Sequence, residues 1–111
     1  MGKRPSFIDV ATSRLRFLID DQGFAGPEAE QPPQTFPAVT SVCYHRGNMT
    51  IEVAHVVSYM GEDYVLTRCR WKDDERGEWI ELGRNTTHTG YQLRRALNVQ
   101  ADAICSYLGR T

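Results

Sequence analysis

The stretch VTSVCYHRGNMTIEVAHVVSY (residues 39–59) decides the fold. Strand side chains alternate between faces, so Val39, Ser41, Cys43 and His45 share one side, and Thr40, Val42 and Tyr44 the other. Arg46-Gly-Asn48 is a tight-turn signal. Beyond it the alternation resumes, with Met49, Ile51, Val53, His55, Val57 and Tyr59 together. Two more strands follow. Met60-Gly-Glu-Asp63 turns the chain into Tyr64 to Trp71, and the charged hairpin Lys72 to Gly77 leads to Glu78 to Leu82. Connections this short favour antiparallel neighbours, because parallel ones need a long crossover. The expectation is a four-stranded antiparallel meander within residues 38–83.

Both flanks change to helical period. Ile8, Ala11, Leu15, Leu18 and Ile19 form one stripe of a helix over about residues 7–22, with Ser6 as its cap and Asp9 in its first turn. Gly23 is a left-handed stop, and Phe24 can fold back onto the last turn. Residues 25–37, with four prolines, read as a loop. Leu93, Ala96, Leu97, Ala101, Ile104 and Leu108 form the stripe of a second helix over about residues 90–108, capped by Thr87 or Thr89 and ended by Gly109. The fold class is therefore α+β, a single domain over 1–111, with the N- and C-terminal helices packed on one face of the sheet. The other face has little sequence left to cover it.

Composition narrows the function. A chain of 111 residues with 41% hydrophobic and 24% charged residues can bury a core without a metal or disulfide. Its formal net charge of -1 creates no general field toward nucleic acid or an anionic membrane. No stretch approaches the roughly 20 apolar residues needed to span a bilayer. Met1 to Ser6 is basic but leads into no apolar run of signal-peptide type, so the cytoplasm is the expected location, with no membrane partner. Three widely spaced cysteines, Cys43, Cys69 and Cys105, suit reduced, partly buried thiols.

Chemistry is sparse. Cys43, His45, His55, Cys69, His88 and Cys105 form no Cys-x-x-Cys or His-x-x-x-His pair, so no metal is expected. No cysteine follows a glycine-rich turn or opens a helix, no Gly-x-Ser-x-Gly elbow is present, and no glycine-rich loop joins a strand to a helix. No catalytic residue and no cofactor are expected. Arg68, Arg70, Trp71, Lys72 and Arg94 have the make-up of a nucleic-acid surface, but Asp73, Asp74, Glu75 and Glu78 follow at once and oppose a phosphate backbone. The same hairpin has the composition of a protein interface. Trp71 and Trp79 supply contact area, and Asp73, Asp74, Glu75 and Glu78 steer a basic partner, with Tyr59 and Tyr64 nearby.

The layout resembles small bacterial immunity proteins of polymorphic toxin systems. The likeness lies in a first helix ending Leu18-Ile-Asp-Asp-Gln-Gly-Phe24, the strands Ser41-Val-Cys-Tyr44 and Met49-Thr-Ile-Glu-Val53, and a last helix carrying Gln100-Ala-Asp-Ala-Ile104 and ending Tyr107-Leu108-Gly109. Those residues are core and cap positions, so the resemblance carries over no functional residue. It implies a non-catalytic, protein-binding domain that neutralises a cognate toxin by occluding its active site. Two alternatives stand beside it. One is a small ligand-binding protein or enzyme with a pocket between the sheet and the Pro-rich loop, using Cys43, His45 and His55. The other is a nucleic-acid accessory module using Arg68, Arg70 and Arg94. A free sheet face or edge strand also leaves room for a homodimer.

Overall fold

The computed structural model describes residues 7–30, 38–57, 63–72, 78–87 and 90–109 of the chain. It is an α+β fold in two layers: a five-stranded antiparallel sheet in simple meander order, with all the described helices on one face. The elements are α1 (Phe7–Arg14), α2 (Arg16–Asp20), β1 (Ala25–Glu30), β2 (Ala38–Arg46), β3 (Met49–Val57), β4 (Asp63–Trp71), β5 (Ile80–Thr86) and α3 (Gly90–Gly109).

The N-terminal helix is interrupted at Leu15, where the backbone (φ -99°, ψ 9°) leaves helical values before α2 begins. Phe7, Ala11, Leu15 and Leu18 are buried, whereas Ile19 points outward and is 37% exposed. The break rotates the stripe, and the predicted Ile19 contact is lost with it. Gly23 takes a left-handed φ of +73°, and the Phe24 amide donates to the Leu18 carbonyl at 2.8 Å. That bond reaches back six residues, closes the helix end past the left-handed Gly23 and folds the buried Phe24 back under it. Arg46 secures the corner, donating to the Gln22 carbonyl at 2.8 Å and lying over the Phe24 ring.

The fifth strand is β1, placed where the sequence reads as loop. All six of its residues are exposed, so it has no apolar alternation to reveal it. It is held as an edge strand by pairing with β2, around a bulge between Ala25 and Glu28 that contains the cis Gly26–Pro27 peptide. Proline is tolerated in a sheet at such an edge and bulge. Gly26 is required there, because its φ is +131° and a Cβ would lie 2.8 Å from the Cys43 carbonyl oxygen. The rest of the predicted loop, 31–37, lies outside the described residues, as do the predicted turn at 60–62 and the hairpin at 73–77.

The last strand is also displaced. It runs from Ile80 to Thr86 rather than Glu78 to Leu82, taking in the predicted irregular segment. Leu82 is the extra residue of a second bulge, since Thr67 pairs with Gly83 and Arg68 with Glu81. A buried polar contact explains the shift. Gln100 of α3 is 1% exposed, and its Nε2 donates to the Val65 carbonyl at 2.7 Å and to Asn85 Oδ1 at 3.1 Å. Its Oε1 accepts from the Thr67 hydroxyl, itself fully buried. Gly83 gives Gln100 room, since a Cβ there would come within 3.3 Å of Gln100 Cγ. β5 is thus seated by a hydrogen-bond network, not by hydrophobic alternation.

The core lies between sheet and helices. Val42 and Tyr44 of β2, Met49, Ile51 and Val53 of β3, and Val65 and Cys69 of β4 meet the helical residues Ala11, Leu15, Leu18, Leu97 and Ile104. The predicted stripe of α3 is observed, with Gln100 added to it. Thr87 does not cap α3: its hydroxyl is buried and finds no partner among the described residues. Among the described residues no helix is long and apolar enough to cross a membrane.

Candidate protein-contact surface

Directly opposed residues of antiparallel strands share a face, so the pairing lays out the side of the sheet away from the helices. One row crosses all five strands: Glu28, Cys43, Glu52, Arg68, Glu81. A second row is Glu30, Ser41, Ala54, Leu66, Arg84. No described helix packs here.

The centre of this face is a charge network. Arg68 donates to Glu52 Oε1 through Nε and Nη2, each at 2.8 Å, and their side chains are only 35% and 15% exposed. Both N–H groups converge on one carboxylate oxygen, a charge-assisted contact stronger than a neutral hydrogen bond. On the other flank of Glu52, the Cys43 thiol donates to Oε2 at 3.7 Å. Burial first, then the Glu52 charge, pushes the Cys43 thiol up to about 11. It stays protonated at neutral pH and is a poor nucleophile.

Trp79 covers this network. Its ring centroid lies 4.2 Å from the Arg68 guanidinium carbon and 4.8 Å from that of Arg70. Further along, Arg84 lies over Tyr64 at 4.8 Å and bonds Glu81 at 3.0 Å. On the β1 side, His45 bridges Thr50 (3.0 Å) and Glu28 (3.3 Å). The result is a face with aromatic and guanidinium groups on β4, β5 and the adjoining Trp79, carboxylates on β1, and a middle of Ser41, Thr50, Ala54 and Val56 that is itself buried. Cation–π contacts and ion pairs hold these long side chains in place, which lowers the entropy lost when a partner docks.

The residues predicted for the contact surface are divided by the sheet. Trp79 belongs to the open face. Trp71 belongs to the other: it pairs with buried Met49, packs against the core, and its indole N–H donates to the Tyr107 hydroxyl of α3 at 3.0 Å. A strand places neighbours on opposite sides, so the two tryptophans do not form one patch. Glu78 is exposed beside Trp79. Asp73, Asp74, Glu75 and Tyr59 lie outside the described residues. Tyr64, Arg68 and Arg70 join the open face, whereas Arg94 lies on α3. The sequence signal that could have assembled the surface is the i, i+2 spacing of Tyr64, Leu66, Arg68 and Arg70 on one strand.

The residues of the pocket alternative do not converge. Cys43 and His45 face the open side. His55 faces the helices, stacked on Phe7 with ring centroids 5.4 Å apart, and burial lowers its pKa against an opposing pull from Asp63. Cys69 is buried, and Cys105, expected beside the core, is exposed on α3 because it falls one position off the stripe. Among the described residues no three of His, Cys, Asp and Glu come together as a metal site. A shallow cleft of about 370 Å³ lies between α1 and α3, lined by Asp9, Val10, Ser13, Arg14 and Arg94. It is on the helical side, away from Cys43 and His45.

The chain matches no protein-family model, no curated protein and no solved structure. The likeness to immunity proteins therefore rests on the layout of the sequence.

Proposed function

We propose that this chain is a non-catalytic protein-binding domain that works through the face of its sheet away from the described helices, and that its partner is a cognate bacterial toxin whose active site it occludes. The observation that carries this reading is the Trp79–Arg68–Arg70 stack anchored to Glu52. An aromatic and two guanidiniums are the side chains most enriched where binding energy concentrates, and here they are fixed in advance of any partner. The protonated Cys43 and the separation of His45 from His55 favour contact over covalent chemistry. The resemblance of the layout to immunity proteins supplies the class of partner.

The test is calorimetric titration of the chain with the product of the neighbouring gene, which this reading expects to carry a toxin domain. Replacing Trp79 by Ala should weaken the complex by about 2 kcal/mol, roughly 30-fold, with the fold intact by circular dichroism. Unchanged affinity removes this face from the binding site.

A further inference from the structure

The guanidiniums on the face away from the described helices are not equivalent. Arg68 is held by Glu52 at 2.8 Å and Arg84 by Glu81 at 3.0 Å. Arg70 stands opposite Thr50 on the same side of the sheet, and among the described residues no carboxylate pairs with it. The Thr50 hydroxyl is buried and already engaged by His45 Nδ1 at 3.0 Å. What holds Arg70 is the Trp79 ring, with its centroid 4.8 Å from the guanidinium carbon. A ring engages the flat face of a guanidinium and leaves its N–H edge unused. Arg70 is also half-buried, so part of its water is already displaced.

From this we infer that Arg70 takes a single carboxylate, an aspartate or glutamate side chain standing in the cleft of the partner protein. The inference rests on the reading of this face as a protein-contact surface and gives that contact its chemistry. The guanidinium fork matches the two oxygens of a carboxylate, and Trp79 holds the fork in place beforehand, so little side-chain freedom is lost on docking. Arg68 does not compete, because its Nε and Nη2 are both committed to Glu52 Oε1.

The surrounding charges limit the ligand to one anion. Glu52 and Glu81 cancel Arg68 and Arg84, and Glu78 is exposed beside Trp79. Arg70 is left as the one uncompensated cation of this part of the described face. One carboxylate satisfies it. A phosphate backbone draws its affinity from many cations at once and finds no such track here. Covering the partner's cleft and capturing a carboxylate inside it are then the same event.

NMR of the chain with isotope-labelled arginine, which resolves the side-chain Nε–H groups, tests this with sodium acetate as the probe. Sodium chloride at equal ionic strength is the reference. The Arg70 signal should shift with acetate and saturate with a dissociation constant on the order of tens of millimolar, the range of one charge-assisted hydrogen-bonded pair. Arg68 and Arg84, already paired, should move far less. An equal shift in chloride, a shift without saturation, or a larger response at Arg68 or Arg84 would each overturn the inference. So would a single-stranded oligonucleotide that moves Arg70 at micromolar concentration, which would make this a nucleic-acid surface.

In calorimetric titration with the product of the neighbouring gene, Arg70→Gln should weaken binding about tenfold or more. Arg70→Lys should recover only part of that loss, because a point charge lacks the fork. Circular dichroism checks that both variants are folded. If Trp79→Ala weakens the complex and Arg70→Gln does not, the carboxylate site is wrong and the contact face stands. If neither change matters, or the wild type does not bind, the contact reading itself fails, and the acetate titration still judges Arg70.

Discussion

Replacing Gln100 by Ala should be among the most damaging single changes on α3, although the residue is polar. Its side chain is 1% exposed and serves three partners: the Thr67 hydroxyl, the Val65 carbonyl and Asn85. Removal leaves the fully buried Thr67 hydroxyl without an acceptor, a cost of about 1–3 kcal/mol. It also opens a void of roughly 55 Å³, worth about 1.3 kcal/mol at the usual cost per volume. The sum is about 3 kcal/mol, against a total of roughly 6–17 kcal/mol for a domain of this length. Urea unfolding followed by tryptophan fluorescence measures it. Val99→Ala, one residue away but 48% exposed, is the control and should lie within about 0.5 kcal/mol of the wild type. Gln100→Met keeps the volume and loses the hydrogen bonds, so it should retain most of the loss. Adding Thr67→Val to Gln100→Met should recover part of it, because the stranded hydroxyl is then gone. Gln100→Ala within about 0.5 kcal/mol of Val99→Ala would refute the reasoning. The consequence reaches the open face, because the Gln100 network seats β5 and so positions Glu81 and Arg84.

Two further outcomes follow from the titrating groups. His55 is held neutral by burial, so its folded pKa lies below the unfolded value; below about pH 6.5 the unfolded chain takes up more protons, and stability should fall as pH falls through that window. His55→Gln should flatten the dependence between pH 7.5 and 5, and an unaltered slope in thermal melts would show that another group governs it. Thiol labelling at pH 8 should modify the exposed Cys105 first; Cys43, with its pKa at about 11 instead of 9.0, has a thiolate fraction roughly 100-fold smaller than an ordinary thiol. Glu52→Gln removes the second-largest cause and should speed Cys43 labelling several-fold but not fully, since burial is the larger one; labelling at the wild-type rate would break the proposed link between the two residues.

Hydrophobic period determined the α+β class and the two helical flanks, and the short connections determined the antiparallel pairing of β2, β3 and β4. Each of those elements buries one face, and burial prints itself on the chain as a period of two or of 3.6. β1 was illegible because it buries nothing: an exposed edge strand is held by backbone bonds to Ser41–His45, which leave no trace in its side chains. The true extent of β5 was illegible for a related reason, since Gln100 and Asn85 seat it through polar contacts between residues 15 apart. The open face shows both limits. That one side of the sheet would lack a helical cover followed from counting apolar stripes. That Trp79 joins Arg68, Glu52 and Cys43 there, while Trp71 turns to Tyr107, was decided by the registers of four strand pairs and one bulge. A shift of one residue in any of them exchanges the faces, and only the folded sheet sets that register.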